Sequence, residues 1–540
     1  MNILGLLGGV SINHHDPGAA LIRDGKLVCF VEEERLIRVK SARGHLPIHA
    51  IAACLDSAGL TIHDIDRVAH PGSSHPDMAG RIAAYLRHYF GHAPAVELVG
   101  HQEAHLASAF FGSGFPEAMC LSYDGYGDRL SAALAVGGPD GLRILETRDE
   151  TNSLGLFYQA ITSFLGFTIG EDEYKVMGLA AHGKARFDLS PFARPAPDGY
   201  VVDPDFLRTD PPPLSIFEAY YGPALERLVG MPPRIAGRPF GQEHRDLAFA
   251  AQKTLEECAV RLVEHLHRLT GQRRLCLAGG VALNCVANMR LKSLPFVDEL
   301  FVQPAASDRG LPLGAALLVA HRLGERIEPP PHAFLGPIRP DTAIEEALRT
   351  SNMPFRPCPD PEETAAEMIA RGRVVAWYRG RSEFGPRALG HRSILADPRP
   401  AAMRDIVNAK IKFRESFRPF APAVLAERAS ELFEMTGPSP YMTVTHPVRP
   451  EWQDRLGAIT HVDGTARVQT VDRATLPEFH RLISAFAART GVPAVMNTSF
   501  NVRGQPIVET PLDALATFAG SGIDALFLGP CLLVKEGIDR

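Results

Sequence analysis

The sequence lacks three things whose absence narrows its class. It has no CxxC pair among its 8 cysteines, which lie scattered at 29, 54, 120, 258, 276, 285, 358 and 531. With the cysteines scattered and mostly in apolar runs, buried reduced thiols in a cytoplasmic protein are expected. It has no apolar run of membrane-spanning length, and "MNILGLLGGV" has no basic region before its apolar stretch, so neither a membrane helix nor a secretory signal is expected. It also has no basic excess: 56 Lys and Arg stand against 62 Asp and Glu, a net charge of −6. A broad nucleic-acid-binding face is therefore not expected, although a local basic pocket remains open.

What is present fits a globular protein of more than one domain. The chain has 540 residues, 45% of them hydrophobic and 22% charged, too long for one ordinary core. Residues 2–10 read as a buried strand, and "HHDPGAALIRDGKLVCFVEEER" as two strands around a turn at Asp24-Gly25. "LPIHAIAACLDSAGL" has a helical period, "DRVAHPG" and "AVELVG" read as strands, and "AMCLSYDGYGDRLSAALAV" as strand, glycine turn, strand. A less regular, proline-rich region spans about 190–240, before a long amphipathic helix from about Arg245 to Leu269. Strand–turn–helix logic then returns in "RRLCLAGGVALNCVANMRL" and "ELFVQPAASDRGLPLGAALLVAHRLG". This repetition predicts a duplicated α/β core over 1–335. "RIEPPPHAFLGPIRP" reads as a linker, and 345–540 as an α+β domain with arginines set among glycine and proline.

Several residue sets can carry chemistry. His101 and His105 in "ELVGHQEAHLASAFF" lie one helical turn apart, on one face, so both imidazoles can reach one ion. Two histidines need further ligands. Asp124 in "LSYDGYGD" and Asp308 in "PAASDRG", each after an apolar strand, complete a set suited to Fe(II), Mn(II) or Zn(II). Gly125, Gly127, Gly279 and Gly280 form tight turns whose N–H groups can approach a phosphate or ribose. In the second domain Arg387, Lys412, Arg418 and Arg467 supply positive charge for phosphates, with Ser499 and Asn501 as hydrogen-bonding groups. Arg392, Arg414 and Arg503 are weaker candidates.

The paired glycine turns resemble the actin/sugar-kinase/heat-shock ATPase fold. With "HxxxH", "GGVALN" and "SDRG", they resemble the domain that forms threonylcarbamoyladenosine on tRNA, whose metal ligands are such histidines and aspartates. "HDPGAAL…EEER", "YKVMGLAAHG", "FGPRALGHRSILADPR", "RESFRPFAP" and "NTSFNVRGQPIV" narrow the likeness. Together they resemble the NodU/CmcH family of O-carbamoyltransferases, which has a tobramycin carbamoyltransferase among its members, over nearly the whole chain.

The resemblance implies an ATPase-like transfer domain at 1–335 and a YrdC-like domain at 345–540 that makes carbamoyl-adenylate from carbamoyl phosphate and Mg-ATP. It implies metal ligation by His101, His105, Asp124 and Asp308. Nucleotide binding falls to Asp124, Gly125, Gly127, Lys175, Gly279, Gly280, Asn284 and Asp308. It gives Arg387, Lys412, Arg418, Arg467, Ser499 and Asn501 to the adenylate-forming pocket, with Lys412 and Arg418 catalytic. His15 is the expected catalytic histidine; His14 is an extra one. Glu33, Glu34 and Arg35 are expected near a small hydroxyl-bearing acceptor, in antibiotic or other secondary metabolism. The competing readings are a tRNA-modifying enzyme, a hydrogenase-maturation protein, and a non-catalytic nucleotide-binding protein.

Overall fold

A computed structural model describes residues 1–8, 15–208, 218–415 and 417–537. His14, Gly9 and Val10 lie outside the described residues, as do 209–217 of the proline-rich region. The chain divides into two units: Met1–Glu33 with Ser41–Pro330, and Glu34–Lys40 with Pro331–Arg540.

The first unit contains two five-stranded sheets of one topology. β1 (Asn2–Leu7), β2 (Gly18–Arg23), β3 (Lys26–Glu32), β4 (Arg67–Pro71) and β5 (Ala95–Val99) lie in the order β3-β2-β1-β4-β5. β6 (Ala118–Gly127), β7 (Leu130–Gly138) and β8 (Gly141–Asp149) begin the second sheet. After a hairpin of β9 (Ala193–Ala196) and β10 (Gly199–Val202), β11 (Arg274–Ala278) and β12 (Glu299–Val302) complete it in the order β12-β11-β6-β7-β8. In each sheet three antiparallel strands come first, and two more follow parallel to the first strand. The expected duplication is therefore present, strand for strand.

The apolar character of β1 follows from burial on both faces. Helix Leu311–Arg322 lies so close to β1 that a Cβ on Gly5 would sit 1.8 Å from the Pro312 carbonyl oxygen. The same helix approaches helix His101–Ser113 equally closely: a Cβ on Gly314 would sit 1.8 Å from the Ala104 oxygen. Packed on both sides, it is buried from Leu311 to Ala320, which explains why "LPLGAALLVA" is apolar all round. The long helix runs Gln242–Thr270, slightly beyond its expected bounds. Helix Met78–Phe90 and strand β8 were not foreseen; β8 is half-exposed, and its alternating charge weakens an apolar signal.

The second unit is α+β. β13 (Arg356–Pro357), β14 (Val375–Tyr378), β15 (Arg392–Ala396), β16 (Ala421–Leu425), β19 (Gln469–Val471), β20 (Ala494–Ser499), β21 (Ala525–Leu528) and β22 (Cys531–Val534) form a mixed eight-stranded sheet. Its order is β13-β22-β21-β14-β15-β20-β16-β19. β17 (His446–Pro447) and β18 (Thr465–Ala466) pair separately.

Segment Glu34–Lys40 packs with this second unit although the first unit surrounds it in sequence. Arg35 is buried and donates to the Glu383 and Gly385 carbonyls, both at 2.6 Å. Arg38 donates to the carbonyls of Ile507 at 2.6 Å and Pro506 at 3.0 Å. These two arginines satisfy main-chain acceptors of two loops, so the segment is built into the unit by charge-assisted bonds. No helix among the described residues is long and apolar enough to cross a membrane.

Candidate active sites

β6 ends where the second sheet meets the start of helix His101–Ser113, and four side chains converge there. His101 Nε2 lies 3.3 Å from Asp124 Oδ2 and 3.6 Å from Asp308 Oδ1. His105 Nε2 lies 3.3 Å and 3.4 Å from the same two oxygens. All four atoms fall within 4.8 Å of one another. Bonds of about 2.1 Å to one ion place neighbouring ligand atoms roughly 3.0–3.4 Å apart, so these separations fit a shared cation. Two imidazole nitrogens and two carboxylate oxygens suit a borderline divalent metal.

Burial alone would push His105 down, but Asp124 and Asp308 more than offset it and hold its pKa up at about 9. Burial would likewise raise Asp124, yet the two imidazoles hold it well below the carboxylate range. Without a cation, a proton on His105 offsets part of the carboxylate charge, a role that a divalent ion would take over.

The surrounding backbone holds Asp124 and crowds His101. Gly280 N donates to Asp124 Oδ1 at 2.9 Å, leaving Oδ2 toward the histidines. Ser153 Oγ donates to the carbonyls of Asp124 (3.1 Å) and Gly125 (2.6 Å), holding the end of β6. Gly279 has φ +91° and its missing Cβ would lie 2.2 Å from the Tyr123 oxygen, so the turn needs glycine twice over. Gly127 passes over the His101 ring, where a Cβ would come within 2.2 Å. Gly125 has open space beside it, with only Gln159 Nε2 within 4 Å of an added Cβ, at 3.5 Å.

His15 adjoins this centre. Its Nε2 lies 3.7 Å from Asp308 Oδ2 and its Nδ1 3.2 Å from Asp16 Oδ2. Arg309 donates to the other Asp16 oxygen at 2.8 Å. Burial disfavours charge on His15, but Asp16 and Asp308 more than offset it and hold the pKa up at about 9.

Lys175 and Asn284 are occupied locally. Lys175 Nζ pairs with Asp172 Oδ1 at 2.8 Å. Asn284 caps helix Cys285–Lys292 by accepting from Ala287 N at 3.0 Å, and it exchanges hydrogen bonds with Gln252. Glu33 caps helix Ile48–Ala58 from outside, accepting from the N–H groups of His49 (3.2 Å) and Ala50 (2.7 Å). Glu34 pairs with Lys40 at 3.2 Å, and Arg35 has the carbonyl partners described above. For these three, expected near an acceptor, the structure shows capping, pairing and loop anchoring.

In the second unit Lys412 lies on a π-helical turn, Asn408–Lys412, a form often found at functional sites. Its buried Nζ donates to Ser499 Oγ (3.2 Å), Asn501 O (3.0 Å) and Asn501 Oδ1 (2.8 Å), and also to the Ser499 carbonyl. Ser499 Oγ donates to Asn501 Oδ1 at 2.7 Å. Lys412, Ser499 and Asn501 are thus brought together at the end of β20. Burial holds the lysine well below its usual range, and Arg414 and Arg418 add repulsion.

Arg418 Nη1 is 3.7 Å from Glu415 Oε2, Arg414 Nε donates to Asn408 Oδ1 at 2.7 Å, and Arg503 donates to the Phe413 carbonyl at 3.3 Å. Arg387 is half-buried between β14 and β15. Arg467 follows β18, close enough to His461 to disfavour its charge. Arg392, a weaker candidate, is a core residue. It is fully buried, stacks on Tyr378 at 3.7 Å, and donates to the carbonyls of His391 (3.2 Å), Gly380 (3.1 Å) and Arg379. Its contacts are with main-chain carbonyls and the Tyr378 ring.

Comparison with known proteins is consistent across both units. The chain matches the model for the carbamoyltransferase N-terminus over residues 6–89, 78–190 and 225–317, and that for the carbamoyltransferase C-terminus over 366–535. It is 40% identical to nodulation protein NolNO of Sinorhizobium fredii, across 99% of this chain and 83% of that protein. It is 43% identical to nodulation protein NolO of Bradyrhizobium diazoefficiens, across 81% of this chain and 79% of the relative. Among solved structures, HypF of T. kodakarensis has a TM-score of 0.38 at 13% identity, covering 60% of this chain and 48% of that one. Component A of the (R)-2-hydroxyglutaryl-CoA dehydratase of Acidaminococcus fermentans has a TM-score of 0.36 at 14% identity, covering 59% and 97%. With both family models matched in order along it, the chain belongs to the NodU/CmcH family of carbamoyltransferases and is a carbamoyltransferase enzyme.

Proposed function

We propose that the protein is an ATP-dependent O-carbamoyltransferase that modifies a hydroxyl of a small natural product, an antibiotic or a sugar. The observation that carries this reading is the convergence of His101, His105, Asp124 and Asp308, with His15 against Asp308. In this reading the first unit is an actin/sugar-kinase/heat-shock ATPase-like transfer domain, and the second is a YrdC-like adenylate-forming domain.

In the second unit water attacks carbamoyl phosphate, the bond to phosphate breaks, and carbamate and phosphate form. A carbamate oxygen attacks the α-phosphorus of ATP, and the bond to the β-phosphate oxygen breaks, giving carbamoyl-adenylate and pyrophosphate. Lys412, Arg418, Arg387 and Arg467 offset the phosphate charge, while Ser499 and Asn501 orient the small carbamoyl group. Lys412 gains most from an arriving anion, since burial and neighbouring arginines depress its pKa in the free protein.

In the first unit the acceptor oxygen attacks the carbamoyl carbon and AMP leaves. Gly125, Gly127, Gly279 and Gly280 offer close backbone approach to the nucleotide. The four ligands would hold Fe(II), Mn(II) or Zn(II), which supplies Lewis-acid polarisation of the carbamoyl and phosphate oxygens. His15 receives the acceptor's proton at Nε2, a role that requires the Asp308 charge to be engaged elsewhere, as it is in a ligand carboxylate.

The test is Lys412→Ala with both half-reactions assayed. Formation of carbamoyl-adenylate from carbamoyl phosphate and ATP should fall at least about 100-fold, a typical loss for one preorganised charge. Transfer from supplied carbamoyl-adenylate should persist. Unchanged adenylate formation, or loss of transfer alone, would overturn the assignment.

A further inference from the structure

The turn that follows β6 carries a carboxylate that the proposed reaction does not use. Asp128 accepts five hydrogen bonds. Its Oδ2 receives His101 N (3.0 Å), Ser73 N (3.1 Å) and Ser73 Oγ (3.3 Å); its Oδ1 receives Ser74 Oγ (2.6 Å) and Ser74 N (3.4 Å). Ser73 and Ser74 follow β4 of the first sheet, whereas Asp128 follows β6 of the second. One carboxylate therefore ties the two halves of the unit at the start of helix His101–Ser113.

Glu103 Oε2 accepts from Gly100 N at 3.0 Å just before that start, but His101 N, in the first turn, has no partner within the helix. The helix is preceded by Gly100, which has no side chain to cap the first turn, and His101 is its first residue. Helix ends fray because their N–H groups have no partner within the helix. A ligand placed there inherits that freedom unless something outside the helix supplies the cap. Asp128 does so from the turn after β6, as an anion at the positive end of the helix. Its own backbone, at φ +52° with Arg129 at +62°, lies in a region non-glycine residues seldom adopt. Its neighbour Gly127 packs against the His101 ring. The turn thus touches His101 at both main chain and ring.

We propose that Asp128 is the positioning residue of the metal centre: it fixes the backbone of His101 so that Nε2 stays directed at Asp124 and Asp308. The proposal rests on reading those four residues as a metal site. Asp128 touches the main chain of one ligand and no reacting group, so its effect must pass through His101.

The test is a double-mutant cycle on the full-length protein, with Zn(II) affinity measured by competition against a chromogenic chelator. Asp128→Asn should weaken Zn(II) about 10- to 100-fold, the usual effect of removing an outer partner of a ligand. In a His101→Ala background the same change should cost less than about 2-fold, because its route of action is gone. Wild-type affinity in Asp128→Asn, or an equal loss in both backgrounds, overturns the proposal. If Asp128→Asn does not fold, Ser74→Ala replaces it. It removes the 2.6 Å donor and leaves the His101 bond; a several-fold loss supports the role and an unchanged affinity overturns it. A wild-type protein that binds no Zn(II), Mn(II) or Fe(II) overturns the metal reading itself, and this proposal with it.

Discussion

Alanine at Gly127 adds one methyl group directly against the His101 imidazole. The new Cβ would stand 2.2, 2.3 and 2.4 Å from ring atoms Cγ, Nδ1 and Cδ2. Non-bonded carbons settle at about 3.5–4.0 Å, so roughly 1.3 Å of separation has to be found. Gly127 is not among the positive-φ glycines, so its backbone accepts alanine and the effect is steric alone. Two responses are open. If the ring swings away, Nε2 leaves a position that metal ligation tolerates to only about 0.2 Å. If the strand yields, the Gly127–Leu130 pairing and the neighbouring Asp128 contacts are disturbed. Either way, Zn(II) affinity should fall at least about 10-fold. Global stability should drop by only about 1–3 kcal/mol, the usual cost of overpacking. Chelator competition reads the first quantity and urea unfolding the second. A folded Gly127→Ala protein with wild-type Zn(II) affinity would refute the reasoning, because no room exists for both the methyl group and the ring as placed.

Two further outcomes follow from the buried charges. Arg392→Met should destabilise the second unit by about 3 kcal/mol or more in urea unfolding, since several charge-assisted bonds to carbonyls are lost at once. Metal-free protein should lose stability as pH rises. The His105 pKa is raised to about 9 from an ordinary 6.5, so its contribution is complete below about pH 6.5 and disappears as pH climbs through 9. Thermal unfolding of chelator-treated protein from pH 6 to 9.5 checks this, and added Zn(II) should flatten the decline.

Much of the first unit was legible because its signals are local. His101 and His105 share a helix face by spacing alone, and Asp124 and Asp308 come after apolar stretches, so the convergence of these four side chains was readable before the fold. The duplicated sheets were legible for the same reason: β1 from Ile3 and β6 from Ala118 to Leu121 are apolar, and each strand leads into an antiparallel pair. What escaped was long-range. Nothing in "EEERLIRVK" distinguishes an arginine that meets a ligand from one that holds the carbonyls of residues some 350 positions away. Nor does "GPRALGHRS" announce that Arg392 is fully buried and bonded to main-chain carbonyls. Asp128 sat inside "YGDR", where a turn aspartate is ordinary. Its five donors come from two other segments and no sequence pattern announces them.

The central claim is that two half-reactions belong to separate residue sets on one chain. His101→Ala tests it most directly, with pyrophosphate release from ATP and carbamoyl phosphate measured beside transfer of the carbamoyl group to an acceptor hydroxyl. The account predicts pyrophosphate release within about 3-fold of wild type and transfer reduced at least about 100-fold, as expected when transition-state charge stabilisation is lost. Transfer at the wild-type rate in this variant would contradict it.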